Sequence, residues 1–344
     1  MKPAFALMAL LLCLQRAVAW DYELHRLIHE LALASLPTHF PAFTTTHNSR
    51  ERIAFLSGEP DRWRNTGDVP LRHANGPEHY FDVDDLEHLG IAPEKISPFR
   101  EQFILQVHAG RAAHPDRFPP IDPKKDPDHV KWFPGLLPWK IAEDYARLKS
   151  AFSYLQTFEK DGTPDEVANA QANVVHLMGI MGHYLADAAQ PLHTTRHFNG
   201  WVGPNPKGYT TNKTFHAWID GNFLKRVGFD RPALLKRVRP AELAWKGDPK
   251  KLRDHIFPVA LDYVRHQFEL VEPLYQLEKE GKLSADSESA AEGREFLLRQ
   301  LLVAGQQLGD FWYSAWQQAG PDTFLQVYLA RRKLEESKRE RANP

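Results

Sequence analysis

The sequence predicts an all-α fold, and three observations carry that prediction. Apolar residues recur every three or four positions over long stretches, prolines stand where those stretches end, and no alternation of period two runs for a useful length between them. The first stretch, YELHRLIHELALASLP, sets Leu24, Ile28, Leu31 and Leu36 at helical spacing, with Pro37 as the stop. From Ser57 to Asp85 the text turns loop-like, rich in Gly, Pro, Asn and Asp, and loops of that kind often carry sites. A helix in EKISPFREQFILQVHAGRAAH gives way to a proline-dense surface excursion over about 115–140. Helix returns in KIAEDYARLKSAFSYLQTFEK and in DEVANAQANVVHLMGIMGHYLADAAQ, which Pro191 ends. A Gly/Asn/Thr-rich loop from His197 to Lys213 leads into FHAWIDGNFLKRV, and two further helical regions follow, DHIFPVALDYVRHQFELVEPLYQLEKE and AAEGREFLLRQLLVAGQQLGDFWYSAWQQA. The charged tail from Arg331 to Pro344 is expected to fray into solvent. There is no internal repeat and no Gly-rich phosphate loop.

With 42% hydrophobic and 25% charged residues, the chain has a globular balance, read here as one domain over 20–330. The first nineteen residues combine Lys2, an apolar run from Ala4 to Leu14 and the ending Ala17-Val18-Ala19, the pattern of a secretory signal. Cleavage after Ala19 would leave Trp20 as the first residue of a secreted or periplasmic protein, expected to be a monomer without a transmembrane segment. Cys13, the one cysteine, lies inside that signal, so the remaining chain has neither a disulfide nor a thiolate ligand. The net charge of −1 supplies no global field to pull the protein onto nucleic acid or an anionic membrane. An anionic partner must therefore be captured locally.

Histidine is the compositional outlier at 17 residues. Residues four apart on a helix lie one above the other, so His183 with Asp187, and His216 with Asp220, can each reach one cation. The apolar surroundings of His183 (Val174, Val175, Leu177, Met178, Met181) turn its polar neighbours inward, where a charge needs a partner. His193, just past Pro191, can turn back across the helix end, and His25, Asp61, His79 and Asp82 add donors. A nitrogen-rich set without cysteine suits zinc or a similar divalent ion better than calcium. The other histidines take ordinary readings. His29 is an outer-sphere or surface residue, His176 a helix-surface residue and His197 a loop contact, while His73, His88, His108 and His114 are exposed. Phe311, Trp312, Trp316 and Tyr328 are expected in the core of the C-terminal helices.

These residues also fall in an order that resembles the zinc-dependent S1/P1 nuclease and bacterial phospholipase C superfamily. Trp20 and His25 match W-x4-H, Asp61 and Arg64 match D-x2-R, His79-Tyr80-Phe81-Asp82 matches H-aromatic-x-D, HYLADAAQPLH matches H-F-x-G-D-x-x-Q-P-L-H, and FHAWID matches L-H-x2-W-D. The match spans Trp20 to about Asn222. The start WDYELH lacks the family's glycines, and Trp218 sits one place early while the His-to-Asp spacing is kept.

The resemblance implies an all-α, multi-helix phospholipase C/P1 nuclease-like fold with a cleft for three zinc ions. Asp61, His79, His183 and Asp187 would hold one ion. The Trp20 amine and carbonyl, with His25 and the bridging Asp187, would hold a second; His193, His216 and Asp220 would hold the third. The implied chemistry is attack of activated water on a phosphodiester, with Asp61 and Asp187 at the reacting centre, Arg64 on the phosphate, and Tyr80 and Asp82 on a base. Asp220 and the short Trp20-to-His25 spacing favour the nuclease branch, acting on single-stranded DNA, RNA or nucleoside 3′-phosphates. A phospholipase C acting on phospholipid headgroups is the alternative within the superfamily, and a non-catalytic, zinc-stabilised binding protein the alternative outside it.

Overall fold

A computed structural model describes residues 20–118, 120–245 and 256–342. The expected signal, with Cys13, lies outside them. Among the described residues the β features are two isolated bridges, Phe81 with Gly135 and Phe198 with Gly200, so the chain is a single all-α domain. The helices are α1 (Tyr22–Ser35), α2 (His47–Leu56), α3 (Glu59–Arg64), α4 (Val69–Asn75), α5 (Asp85–Leu89), α6 (Arg100–Ala113), α7 (Leu137–Asp161), α8 (Pro164–Ala188), α9 (Phe215–Ala217), α10 (Phe223–Val227), α11 (Arg231–Leu235), α12 (Ile256–Phe268), α13 (Val271–Lys279), α14 (Ala290–Gln317) and α15 (Thr323–Ala342). Among the described residues, no helix is long and apolar enough to cross a membrane.

The long helices α7 and α8 form an antiparallel pair, and α1 packs against both α8 and α14. Thr163 starts α8 with a reciprocal cap: its hydroxyl accepts from Glu166 N at 3.2 Å, and the Glu166 carboxylate accepts from Thr163 N at 2.8 Å. Residues Met178 through Ala188 are all buried, so the C-terminal half of α8 runs through the core. That burial forces every polar group it carries to find a partner inside.

The contact between α1 and α8 depends on Gly182. A Cβ there would lie 2.0 Å from Nε2 of His29. The His29 ring has no room to yield, because it is fully buried between two backbone carbonyls, Nδ1 2.8 Å from that of His25 and Nε2 3.0 Å from that of Gly179. Gly182→Ala gains about 1 kcal/mol of helix propensity, but overpacking against a fixed ring costs roughly 1–3 kcal/mol. Chemical denaturation should therefore show a net loss, despite a substitution that stabilises most exposed helices.

Several expectations need correction. The loop-like text from Ser57 to Asp85 contains α3, α4 and a 3₁₀ turn at Gly76–His79. Each has a proline in its first turn, Pro60, Pro70 and Pro77, where the missing N–H costs nothing and the fixed φ favours helix. The proline-rich excursion is irregular apart from 3₁₀ turns at Pro115–Arg117 and Pro123–Lys125, but it ends earlier than about 140, since α7 starts at Leu137. Nor is it wholly superficial. Phe133 and Leu136 are buried, and Asp126 Oδ1 accepts from Val130 N (2.9 Å) and Lys131 N (3.2 Å).

The tail does not fray at Arg331; α15 runs on to Ala342, tied down by buried Leu329, by Arg332 on Glu166 (2.6 Å) and by Lys333 on Asp161 (2.8 Å). Phe311 and Trp312 are fully buried and Trp316 packs against the core, whereas Tyr328 is exposed on α15. His88 and His114 are half-buried rather than exposed, and His29 lies in the core.

Candidate metal centre

The site is built around the end of α8. His183 Nδ1 donates to the Ser57 carbonyl at 2.7 Å, which turns Nε2 towards Asp187 Oδ2, 3.3 Å away. Helical spacing aligns the pair, and the carbonyl fixes the tautomer. Gln190 then folds back at the Pro191 stop. Its Oε1 accepts from Leu192 N at 2.8 Å, and its Nε2 donates to Asp220 Oδ1 at 2.6 Å. The 3₁₀ turn Pro191–Thr194 places His193 so that Nδ1, 3.9 Å from Asp187 Oδ2, donates to the His79 carbonyl at 2.6 Å and Nε2 faces the other way.

Two clusters result. In the first, His79 Nδ1 is 2.9 Å from Asp187 Oδ2, and His25 Nε2 is 3.4 Å from Asp187 Oδ1. Asp61 Oδ1 stands 3.9 Å from His183 Nε2 and 4.0 Å from His79 Nδ1, and the His25 and His183 rings stack with centroids 4.2 Å apart. Two overlapping donor sets have their ligand atoms within 4.8 Å of one another: His25, Asp61 and His183, and His79, His183 and Asp187. The set expected from the resemblance is thus brought together, but His25 also groups with Asp61 and His183 as well as facing Asp187. Trp20 is fully buried, its indole Nε1 donating to the Ala186 carbonyl at 3.0 Å, so the residue expected to start the mature chain is pinned beside the residue preceding Asp187.

The second cluster is His193, His216 and Asp220. His216 Nδ1 donates to the Phe198 carbonyl at 3.0 Å, and its Nε2 lies 3.0 Å from Asp220 Oδ2. Asp220 sits at a kink between α9 and α10, over Trp218–Asn222, where Gly221 leaves helical geometry with an extended φ of 172°. Asp21 locks this kink to the N-terminal segment: its N–H donates to the Asp220 carbonyl at 2.8 Å, and a Cβ on Gly221 would fall 1.7 Å from its Oδ2. Only glycine leaves room for that carboxylate, which also pairs with Lys225 at 2.8 Å and caps α1.

The donor chemistry fits cations. His193 Nε2 and His216 Nε2 face each other at 3.0 Å while each Nδ1–H is committed to a backbone carbonyl. Two opposed lone pairs in a dry interior repel unless an electrophile lies between them. Six buried atoms at the site lack a hydrogen-bond partner: both His25 nitrogens, Asp61 Oδ1, His79 Nε2, Asp187 Oδ1 and Asp220 Oδ2. Buried polar groups are normally satisfied, so such a concentration marks a place for an ion. These groups can hold metal ions.

The proton affinities agree with that use. Burial lowers His25, pushes His79 down to about 4, with Arg64 adding to the effect, and pushes His193 down to about 3, leaving neutral donors at neutral pH. Burial opposes charge on Asp187, yet His183 and His193 hold it well below the usual carboxylate range. His183 is raised against its own desolvation by Asp187 and Asp61. Asp61 is likewise lowered, against burial, by His183 and Arg64, while burial raises Asp220.

Of the expected substrate residues, Arg64 flanks the first cluster, with Nε 3.8 Å from Asp61 Oδ1. Half-buried Tyr80 directs its hydroxyl to the Phe133 carbonyl at 3.4 Å. Asp82 joins neither cluster; burial, with Asp85 and Asp84 beside it, raises its carboxyl well above the ordinary value. Residues with no assigned role in the sequence reading complete the frame. Asp84 accepts from Thr195 Oγ1 (2.7 Å) and Arg196 N (3.0 Å), anchoring the strand of chain that follows His193. His197 stacks on Trp201 at 3.9 Å in the same loop, and His176 is exposed on α8. Gln190 could have been suspected from its place between two ligands; Asp84 and Ser57 carry no such signal.

No known family model, no curated protein and no solved structure matches this chain.

Proposed function

We propose that the chain is an exported zinc-dependent phosphodiesterase of the S1/P1 nuclease type, which cleaves single-stranded DNA and RNA, and nucleoside 3′-phosphates, to 5′-phosphate products or free nucleosides. The observation supporting this most directly is the double presentation of Asp187, with Oδ1 towards His25 (3.4 Å) and Oδ2 towards His79 (2.9 Å) and His183 (3.3 Å). A carboxylate shared in this way suits a close pair of divalent cations, with Asp61, His79 and His183 completing one shell and Trp20 and His25 the other. His193, His216 and Asp220 would hold a third ion. Imidazole and carboxylate donors without thiolate suit zinc, and three side chains in the third set leave a position open, unlike the four-ligand closure of a structural site.

Bound ions of this kind lower the pKa of water towards about 7 and neutralise phosphoryl oxygens. The chain's own residues bind and orient. Arg64 offers its guanidinium to the phosphate, and Tyr80 offers a ring to a base, which must be unpaired to reach it. Asp82 keeps its proton more readily than an ordinary carboxyl, so it presents both a donor and an acceptor to a base edge.

The test is hydrolysis by the chain beginning at Trp20, offered single-stranded DNA, RNA, duplex DNA, a nucleoside 3′-phosphate and phosphatidylcholine. Single strands should be cleaved faster than duplex and phosphatidylcholine left intact; chelation should abolish cleavage and zinc restore it. Cleavage of phosphatidylcholine alone would make the protein a lipid-headgroup phosphodiesterase. Full activity after chelation would remove the metal from the mechanism.

A further inference from the structure

The C-terminal helix α15 has one side docked and one side bare. Leu329 is buried, Arg332 and Lys333 pair with Glu166 and Asp161, and Asp322 caps the helix start by accepting from Leu325 N at 2.9 Å. The opposite face begins with Phe324, 85% exposed, and continues through Val327, Tyr328 and Leu334, all more than half exposed. These lie at helical spacings of three, four and seven, so they form one stripe. A phenylalanine so exposed, in line with three more large apolar residues, is a contiguous patch rather than scattered surface hydrophobicity.

The charges are sorted in the same way. One heptad on from Phe324 and Val327 stand Arg331 and Leu334; one heptad further stand Lys338 and Arg341. Arg331, Lys338 and Arg341 therefore continue the apolar stripe, joined by Arg339 at its edge. Glu335 is the one acidic residue on this face, since Glu336 and Glu340 follow the side of Leu329. A second copy packed through this face would set arginines and lysines against one another. An anionic surface meets both parts of it: cations to the headgroups, aromatic and aliphatic side chains below them.

We propose that α15 is a peripheral membrane-docking helix, whose Phe324–Leu334 face lies on anionic phospholipid bilayers. The whole-chain charge of −1 gives no general attraction to such a surface, so this helix supplies it locally. The inference does not depend on what the metal centre hydrolyses.

Flotation of the chain beginning at Trp20 with vesicles tests it. Vesicles containing phosphatidylglycerol should capture the protein at low salt, pure phosphatidylcholine should capture far less, and added salt should release it. Phe324→Ser with Tyr328→Ser, and separately Arg331→Glu with Lys338→Glu, should each cut binding by roughly tenfold or more. Both pairs lie on the bare face, so the unfolding midpoint and hydrolysis of a water-soluble phosphodiester should stay unchanged. Equal capture by the two vesicle types, binding that survives both double substitutions, or no capture at all overturns the proposal. So does light scattering that shows a dimer abolished by the Phe324 and Tyr328 changes, which would make the face a self-interface.

Discussion

On the proposed function, Asp187→Asn should leave a folded chain that binds fewer metal ions and hydrolyses phosphodiesters more slowly, by on the order of a thousandfold or more. The substitution keeps the shape of the side chain, so the loss isolates charge. Asp187 is the group that faces His25 on one side and His79 and His183 on the other, and all four are fully buried. Asparagine cannot supply the negative charge that several cations in a dry pocket require, and one of its terminal atoms is a donor where both Asp187 atoms accept. Metal content by mass spectrometry should fall by two ions per chain while the His193, His216 and Asp220 set keeps one. Gln190→Ala gives the contrast: Gln190 belongs to neither donor cluster, and its loss should only weaken metal binding at His193, His216 and Asp220, by about 10–100-fold, through loss of the 2.6 Å support to Asp220. An Asp187→Asn protein that keeps full metal content and rate would remove the bridging role altogether.

How the residues meet was legible in unequal measure, and the reason is the range of the interactions. Helices α1, α7 and α8 announce themselves by apolar periodicity, a local property. His183 with Asp187 and His216 with Asp220 are also local, each a single helical step. The short helices α3 and α4 were missed because Pro60 and Pro70, read as breakers, open them. The last turns of α15 were missed because they are held by ion pairs to Glu166 and Asp161, more than a hundred residues away. Allocation of ligands is likewise non-local. That His25 stacks on His183, or that Asp21 fits against Gly221, follows from the packing of α1 against α8 and the kink at Gly221, and no spacing in the chain expresses it.

The same burial predicts how the metal-stripped protein behaves in acid. His29 and His79 are pushed down to about 4 and His193 to about 3, each chiefly by desolvation. In the unfolded chain these rings take up protons near the ordinary histidine value of 6.5. As pH falls below that value the unfolded state binds more protons than the folded one, and stability falls with it, down to the folded values. At about 1.4 kcal/mol per pH unit for each ring, the loss amounts to several kcal/mol by pH ~4.5, a large share of the roughly 5–15 kcal/mol available to a domain. His183 runs the other way, its raised value contributing stability at low pH that is lost as pH rises. The buried carboxyls of Asp82, Asp144 (raised to about 6) and Asp220 also take up protons more readily in the folded chain and oppose the histidines over this range. Urea unfolding of the chelated chain should give a midpoint that falls more steeply below about pH 6.5 in the parent than in a His79→Gln variant, which lacks one of these rings. Zinc should move the onset of that drop to lower pH, because protons and metal compete for the same nitrogens. A pH dependence that His79→Gln leaves unchanged would mean that this ring is not held neutral by burial, and the case for ready, unprotonated donors at neutral pH would fail with it.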